Sequence, residues 1–499
     1  MRRTGDAAQK NGTSLPGGCH GLLVKPCTAH QPHRLASKRW HPWTLPLFCA
    51  APRTVCAAFL ALAAALPAFG ADATKSEYRG WESLRLANGL VEVQVVPAVG
   101  GRVIQFKLGP FEYLWVNPQL AGKQPPPSGV GPKGEWLSYG GDKLWPAPQG
   151  WDNDQQWPGP PDGVLDGSPH EASIIEASGK SAALRLMSRE DKRSGIQFSR
   201  IIRVADGAAR VSFDSTMTNI DTKPRRWGIW QVTQINASSR EGEGYNKEIR
   251  CWSPINPASI YPRGYCEMFG LVNNPSFRVD PATKMFCANY NRIVGKVGLD
   301  NSAGWVAVVD GAAGYVFVER FTHFPDKKYP DQASVEFWMN GVGQFVCGTK
   351  IVEAKDDPVE TPYLVECEIL SPFAELQPGE SYSFRLEWCA AKIGGNYPVL
   401  ACTPVGVTCE PFTARAADGK VRLAGRFGVF YAAQAALVAL DGDGKDLERI
   451  DLKLPVSPLE VLVLEKDEPL SAKAASVRLV LLDSVGKEIG ELARVQIAK

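Results

Sequence analysis

The chain has 499 residues, 55 Lys+Arg against 53 Asp+Glu, 44% apolar and 22% charged. This balance excludes a long disordered chain, which needs low hydrophobicity and a large net charge. A formal charge of +2 also gives no electrostatic footprint for a nucleic-acid partner.

Residues 1–52 carry no hydrophobic periodicity, whereas Val55 to Phe69 is a nearly unbroken apolar run preceded by Arg53. The run is too short to span a bilayer, which needs about 20 residues. With Gly70-Ala71-Asp72-Ala73 after it, it reads as the hydrophobic region of a signal peptide. Residues 1–71 are therefore expected to be a leader, its upstream part reflecting a start placed too early. The mature protein is expected in the periplasm or secreted, with no membrane association after cleavage. Without residues 1–71, which hold eight Lys/Arg and one Asp, the formal charge falls from +2 to −5. Eight cysteines remain, and export permits disulfides among them, but spacing selects no pairing and buried free thiols fit equally well.

Beyond the leader the pattern is all-β. Leu84 to Leu86 and Val91 to Val95 alternate around Asn88-Gly89, a hairpin signal. Strands follow at Val103–Leu108, Tyr113–Val116, Ala183–Met187, Ile196–Val204, Val211–Ile220 and Trp227–Ile235. More come at Trp305–Val309, Tyr315–Phe321, Ser334–Met339, Tyr363–Leu370 and Tyr382–Trp388. No long segment has helical period. Residues 117–170 read as one long loop rich in Pro, Gly and Trp, and loops of that length are usually functional. Residues 392–408 read as a linker. After it, short strands suit a small immunoglobulin-like sandwich over 400–499.

Trp136, Trp145, Trp151 and Trp157 crowd the long loop. Indole faces suit sugar rings, although they could equally plug the end of a sandwich. Only His170 and His323 remain after the leader, each a candidate acid or a structural hydrogen-bonder. Glu366 and Glu368, two apart on one strand, share a face. On a cavity wall their repulsion would raise one pKa; otherwise both face water.

Four segments resemble the galactose mutarotase-like (aldose 1-epimerase-like) superfamily, and within it most closely the uncharacterised bacterial family DUF4380. They are Asn88–Val93 with Val96–Val103, Tyr139–Pro148, Pro169-His170, and Tyr363–Pro372 followed by Leu376–Ser381. The resemblance covers roughly 80–392. It implies a β-supersandwich over 75–393 with a sugar cleft, Glu366 as catalytic base and His170 as acid. It further implies Arg102, Asp142, Lys143 and Trp145 as sugar contacts, to which residue type and placement add Trp151, His323 and Glu368 as candidates. The family's usual second His is not in place, and Glu171-Ala172 follows His170 where many epimerases have Gly-Phe-Ala-Arg. The expected partner is a sugar or glycan. Metal and cofactor are expected to be none, and the oligomeric state is left open. An exported sugar epimerase competes here with a non-catalytic glycan-binding module and with a polysaccharide lyase, which would use Arg102 or Lys143 to neutralise a uronate.

Overall fold

The computed structural model describes residues 70–498 except Thr349. The leader and its apolar run lie outside the described residues. What is described is all-β, with one short 3-10 turn at Pro330–Gln332 as its only helical element.

Two large antiparallel sheets, of thirteen and ten strands, pack face to face as a β-supersandwich. The central run of the first sheet is, in spatial order, Gly295–Leu299, Val335–Met339, Leu364–Leu370, Arg225–Asn236, Asp142–Ala147, Arg102–Leu108 and Val91–Val96. The second sheet includes Ile196–Ala205, Arg210–Asn219, Ser381–Lys392 and Tyr315–Phe321. Between them lies a core that includes Phe106, Phe213, Trp227, Phe317, Phe337 and Trp388. Alternation explains which residues enter it: in a strand, every second side chain shares a face.

Residues 401–498 form an eight-stranded sheet bent over a core of its own, including Leu423, Phe427, Leu437 and Leu479. Its two halves are joined by a parallel pairing of Gly406–Ala417 with Glu488–Ala498.

One expectation needs correction. The stretch 117–170 is not all loop, because Asp142–Ala147 is a fully buried strand inside the first sheet, paired along Arg225–Asn236. Gly140-Gly141 before it and Pro146 within it mask the strand in sequence. Both of its faces are buried, so its polar and apolar residues do not sort into inside and outside.

Candidate functional site

Register fixes what the first sheet presents on each face. Thr233 pairs with Asp142 and Cys367, while Val232 pairs with Lys143 and Glu368. Gln234 pairs with Glu366, and Trp230 with Trp145. One strand further, Glu336 pairs with Glu368 and Trp338 with Glu366. Lys143, Trp145, Trp230, Gln234, Glu366, Glu368, Glu336 and Trp338 therefore share the face turned away from the second sheet. Asp142, Leu144, Gln231 and Thr233 point into the sandwich.

On the outward face, Lys143 Nζ donates to Glu366 Oε1 at 2.9 Å, and Gln234 Nε2 donates to the same oxygen at 2.8 Å. Glu366 Oε2 takes no hydrogen bond from the described residues. The Glu366 side chain keeps 14% exposure, whereas Lys143 keeps 2%. Burial raises the Glu366 carboxyl, but the Lys143 ammonium and the two hydrogen bonds outweigh it, so the pKa lies below the usual 4.5.

Two residues on, Glu368 behaves oppositely. Its Oε2 receives Lys296 Nζ at 3.0 Å and Trp230 Nε1 at 2.8 Å. Lys296 also pairs with Glu336 Oε2 at 2.6 Å and lies 4.5 Å from the centre of the Trp230 ring. Glu368 Oε1 and Glu336 Oε1 are buried without hydrogen-bond partners. Burial, only partly relieved by Lys296 and reinforced by Glu336 and Glu366, pushes the Glu368 carboxyl up to about 8. Two neighbouring carboxylates with one ammonium hold a proton at neutral pH.

The Trp-rich segment borders this face. Asp166 accepts from Trp136 Nε1 at 2.7 Å, Trp145 Nε1 at 3.1 Å and Arg102 at 2.6 Å. Arg102 is wholly buried, so its charge is spent on Asp166. Trp145 is covered by Lys143, 4.8 Å from its centre, and by Trp157 at 4.9 Å, which leaves no open face for a sugar. Trp136 and Trp338 keep exposed indole area. Trp338 meets Phe345 of the hairpin Gly343–Ala354 edge-on at 5.1 Å. Trp151, 47% exposed, sits over Gly348 at the tip of that hairpin.

The structure does not bring His170 to Glu366. His170 lines a narrow space with Gly101, Leu144, Leu186, Phe198 and Arg200, on the inward face of the sheet. A side chain at Gly101 would strike its Nδ1. Burial, aided by Arg102 and Arg200, lowers His170 to about 4, so it is neutral and its Nε2 has no partner. Asp142 is also inward, held by Arg200 at 2.6 Å. His323 stands at the end of Tyr315–Phe321, stacked on Tyr329 at 5.4 Å, with burial lowering its pKa.

Reading the sequence missed Gln234, Trp230, Lys296, Glu336, Trp338 and Asp166. Glu336 and Trp338 alternate within a strand that was legible. Lys296 stands in Gly295-Lys296-Val297-Gly298, where two glycines weaken the strand pattern. Among the described residues no group of three or more His, Cys, Asp or Glu is placed to hold a metal ion. Seven cysteines, Cys251, Cys287, Cys347, Cys367, Cys389, Cys402 and Cys409, are free thiols.

A family model described as a domain of unknown function, DUF4380, matches residues 81–391. The chain belongs to that family. The residues matched to DUF4380 contain every outward-facing group described above. No curated protein matches the chain. Among solved structures, it is similar to a galactose mutarotase-like protein from Clostridium acetobutylicum (13% identity, 65% of this chain and 99% of that one, TM-score 0.40). It is similar also to a putative aldose 1-epimerase from Klebsiella pneumoniae (14% identity, 63% and 80%, TM-score 0.41). A TPR-domain containing protein from Parabacteroides distasonis matches at 13% identity and TM-score 0.40, over 65% of this chain and only 49% of that one.

Proposed function

We propose that the outward face of the first sheet binds a sugar and interconverts its anomers, with Glu366 as base and Glu368 as acid. The observation that carries the reading is the opposite displacement of two carboxyls on one face: Glu366 is held ionised by Lys143 and Gln234, and Glu368 is held protonated up to about 8. Two groups pushed apart in this way are suited to acid and base roles in one reaction. Glu366 Oε2, free of donors among the described residues, takes the proton of the anomeric hydroxyl. Sugar entry has to uncover the Glu368 carboxyl, which is 1% exposed; it then gives a proton to the ring oxygen, and the C1–ring-oxygen bond opens. Rotation about C1–C2 and reversal of both transfers give the other anomer. Trp136 and Trp338 offer apolar area to the ring. His170 has no part in this scheme.

The lyase alternative loses support, because it needs a free cation for a uronate carboxylate, and Arg102 and Lys143 are both committed to carboxylates. Export to the periplasm or exterior belongs to the proposal through the run at 55–69. The N-terminus of the protein recovered from its native host checks that point.

NMR of freshly dissolved α-aldoses tests the chemistry. Glu366→Gln and Glu368→Gln should each slow anomer exchange by about 100-fold or more, while His170→Asn leaves it unchanged. Exchange should fall as pH rises through about 8, where Glu368 loses its proton. Sugar binding without any acceleration would leave a binding module instead.

A further inference from the structure

A second cavity lies away from Glu366, at the end of the sandwich. It measures about 220 Å³ and is lined by Asn153, Asp154, Gln156, Trp157, Arg193, Ser194 and Trp227. Its floor is fixed. Trp157 donates to Asp162 at 2.8 Å and Trp227 donates to the Ser194 carbonyl at 3.0 Å. Both indoles are essentially buried.

The polar groups around the floor are unequally committed. The Ser194 hydroxyl is taken by Asp191. Asp154, the carboxylate of the lining, is already matched by Lys223 at 2.8 Å and Arg225 at 3.6 Å. Gln156 Oε1 and Asn153 Oδ1 each accept a backbone N–H of the same loop, and both amide NH2 groups have no acceptor among the described residues. The Arg193 guanidinium has no acceptor among the described residues, and only its backbone is engaged. The cavity thus offers a planar cation and two amides, all donors, above apolar ring edges.

We propose that this cavity is a binding site for a carboxylated pyranose, a uronate, separate from the outward face of the first sheet. A forked guanidinium matches a carboxylate in two parallel hydrogen bonds, and amide donors match ring hydroxyls. The volume is that of one sugar residue. Trp157 is the wall nearest the other site, its ring centre 4.9 Å from that of Trp145. The inference does not depend on anomer exchange at Glu366.

The test is calorimetric titration of the whole protein with galacturonate, with galactose and with tri-galacturonate. Galacturonate should bind saturably and more weakly as salt is added, and galactose about tenfold more weakly, the difference between a charge-assisted and a neutral hydrogen bond. Arg193→Gln, at an exposed position, should abolish that preference without changing galactose anomer exchange. Glu366→Gln should leave uronate binding intact. Tighter binding of the trimer would assign the site to glycan chains, and equal binding to a free uronate. No saturable galacturonate binding, or an unchanged preference in Arg193→Gln, would overturn the proposal. Loss of uronate binding in Glu366→Gln would merge the two sites and overturn it equally.

Discussion

Thr233 shows how much one side chain settles inside the sandwich. Its Oγ1 lies 2.9 Å from Asp142 Oδ1 and 2.7 Å from Glu319 Oε1. A hydroxyl has one proton, so it donates to Asp142 and accepts from a protonated Glu319. Burial, with the Asp142 charge adding to it, pushes Glu319 up to about 8, which agrees with that assignment. The linkage has a definite sign. Above the ordinary glutamate value of 4.5 the unfolded chain gives up the Glu319 proton, while the folded chain keeps it to about 8. Stability on this account falls as pH rises from 4.5 to about 8, then levels. Glu319→Gln keeps a donor for Thr233 and should flatten the decline of Tm across that window. An unchanged slope would mean that Glu319 is ionised in the fold. His170 acts in the opposite sense: held at about 4 against an ordinary 6.5, it adds stability that is lost as pH falls from 6.5 towards 4. None of this was legible in the sequence beyond the spacing of Glu366 and Glu368. Lys143 and Glu366 are 223 positions apart, Lys296 and Glu368 are 72 apart, and neither partner has a local signature.

Strands with one half-buried face, such as Ile196–Ala205 and Arg210–Asn219, were readable because burial alternates along them. The strand Asp142–Ala147 was not, since a core that contains ion pairs hides the contrast on which periodicity rests. The hairpin Gly343–Ala354 was missed for a different reason: it is a separate two-stranded ribbon, outside both large sheets. Such a ribbon is marginal alone. What fixes it is Phe345 against Trp338 and the Gly348 tip against Trp151. Phe345→Ala should therefore free the ribbon without unfolding the sandwich. Because Trp338 shares its face with Glu366, the KM for an active aldose should rise severalfold while kcat holds. Limited proteolysis should cut first between residues 343 and 354. A large fall in Tm would instead make the ribbon part of the main core.

At the scale of the whole molecule, the outer face of the second sheet has the same need for cover as any apolar sheet face. The C-terminal sandwich supplies that cover. Trp252, Val309, Val318 and Ile393 of the supersandwich share one cluster with Val399, Val407, Cys409 and Phe430. Backbone hydrogen bonds cross the same seam, from Ala209 N to Phe430 O at 2.7 Å and from Lys392 N to Pro458 O at 2.8 Å. Arg210 completes it, pairing with Glu387 at 2.5 Å and with the Tyr431 hydroxyl. Composition suggested a linker at 392–408, but Ile393, Val399, Val405 and Val407 are fully buried. A shared core couples the stabilities of the two parts, so calorimetry should show one unfolding transition. Phe430→Ala should cost about 3–5 kcal/mol and lower the temperature of that single transition. Ending the chain at residue 397 would strip cover from Trp252, Val309 and Val318, and the shortened protein should aggregate. Two resolved transitions, with only one moved by Phe430→Ala, would show instead that the C-terminal sandwich is an independent appendage and that the second sheet is stable uncovered.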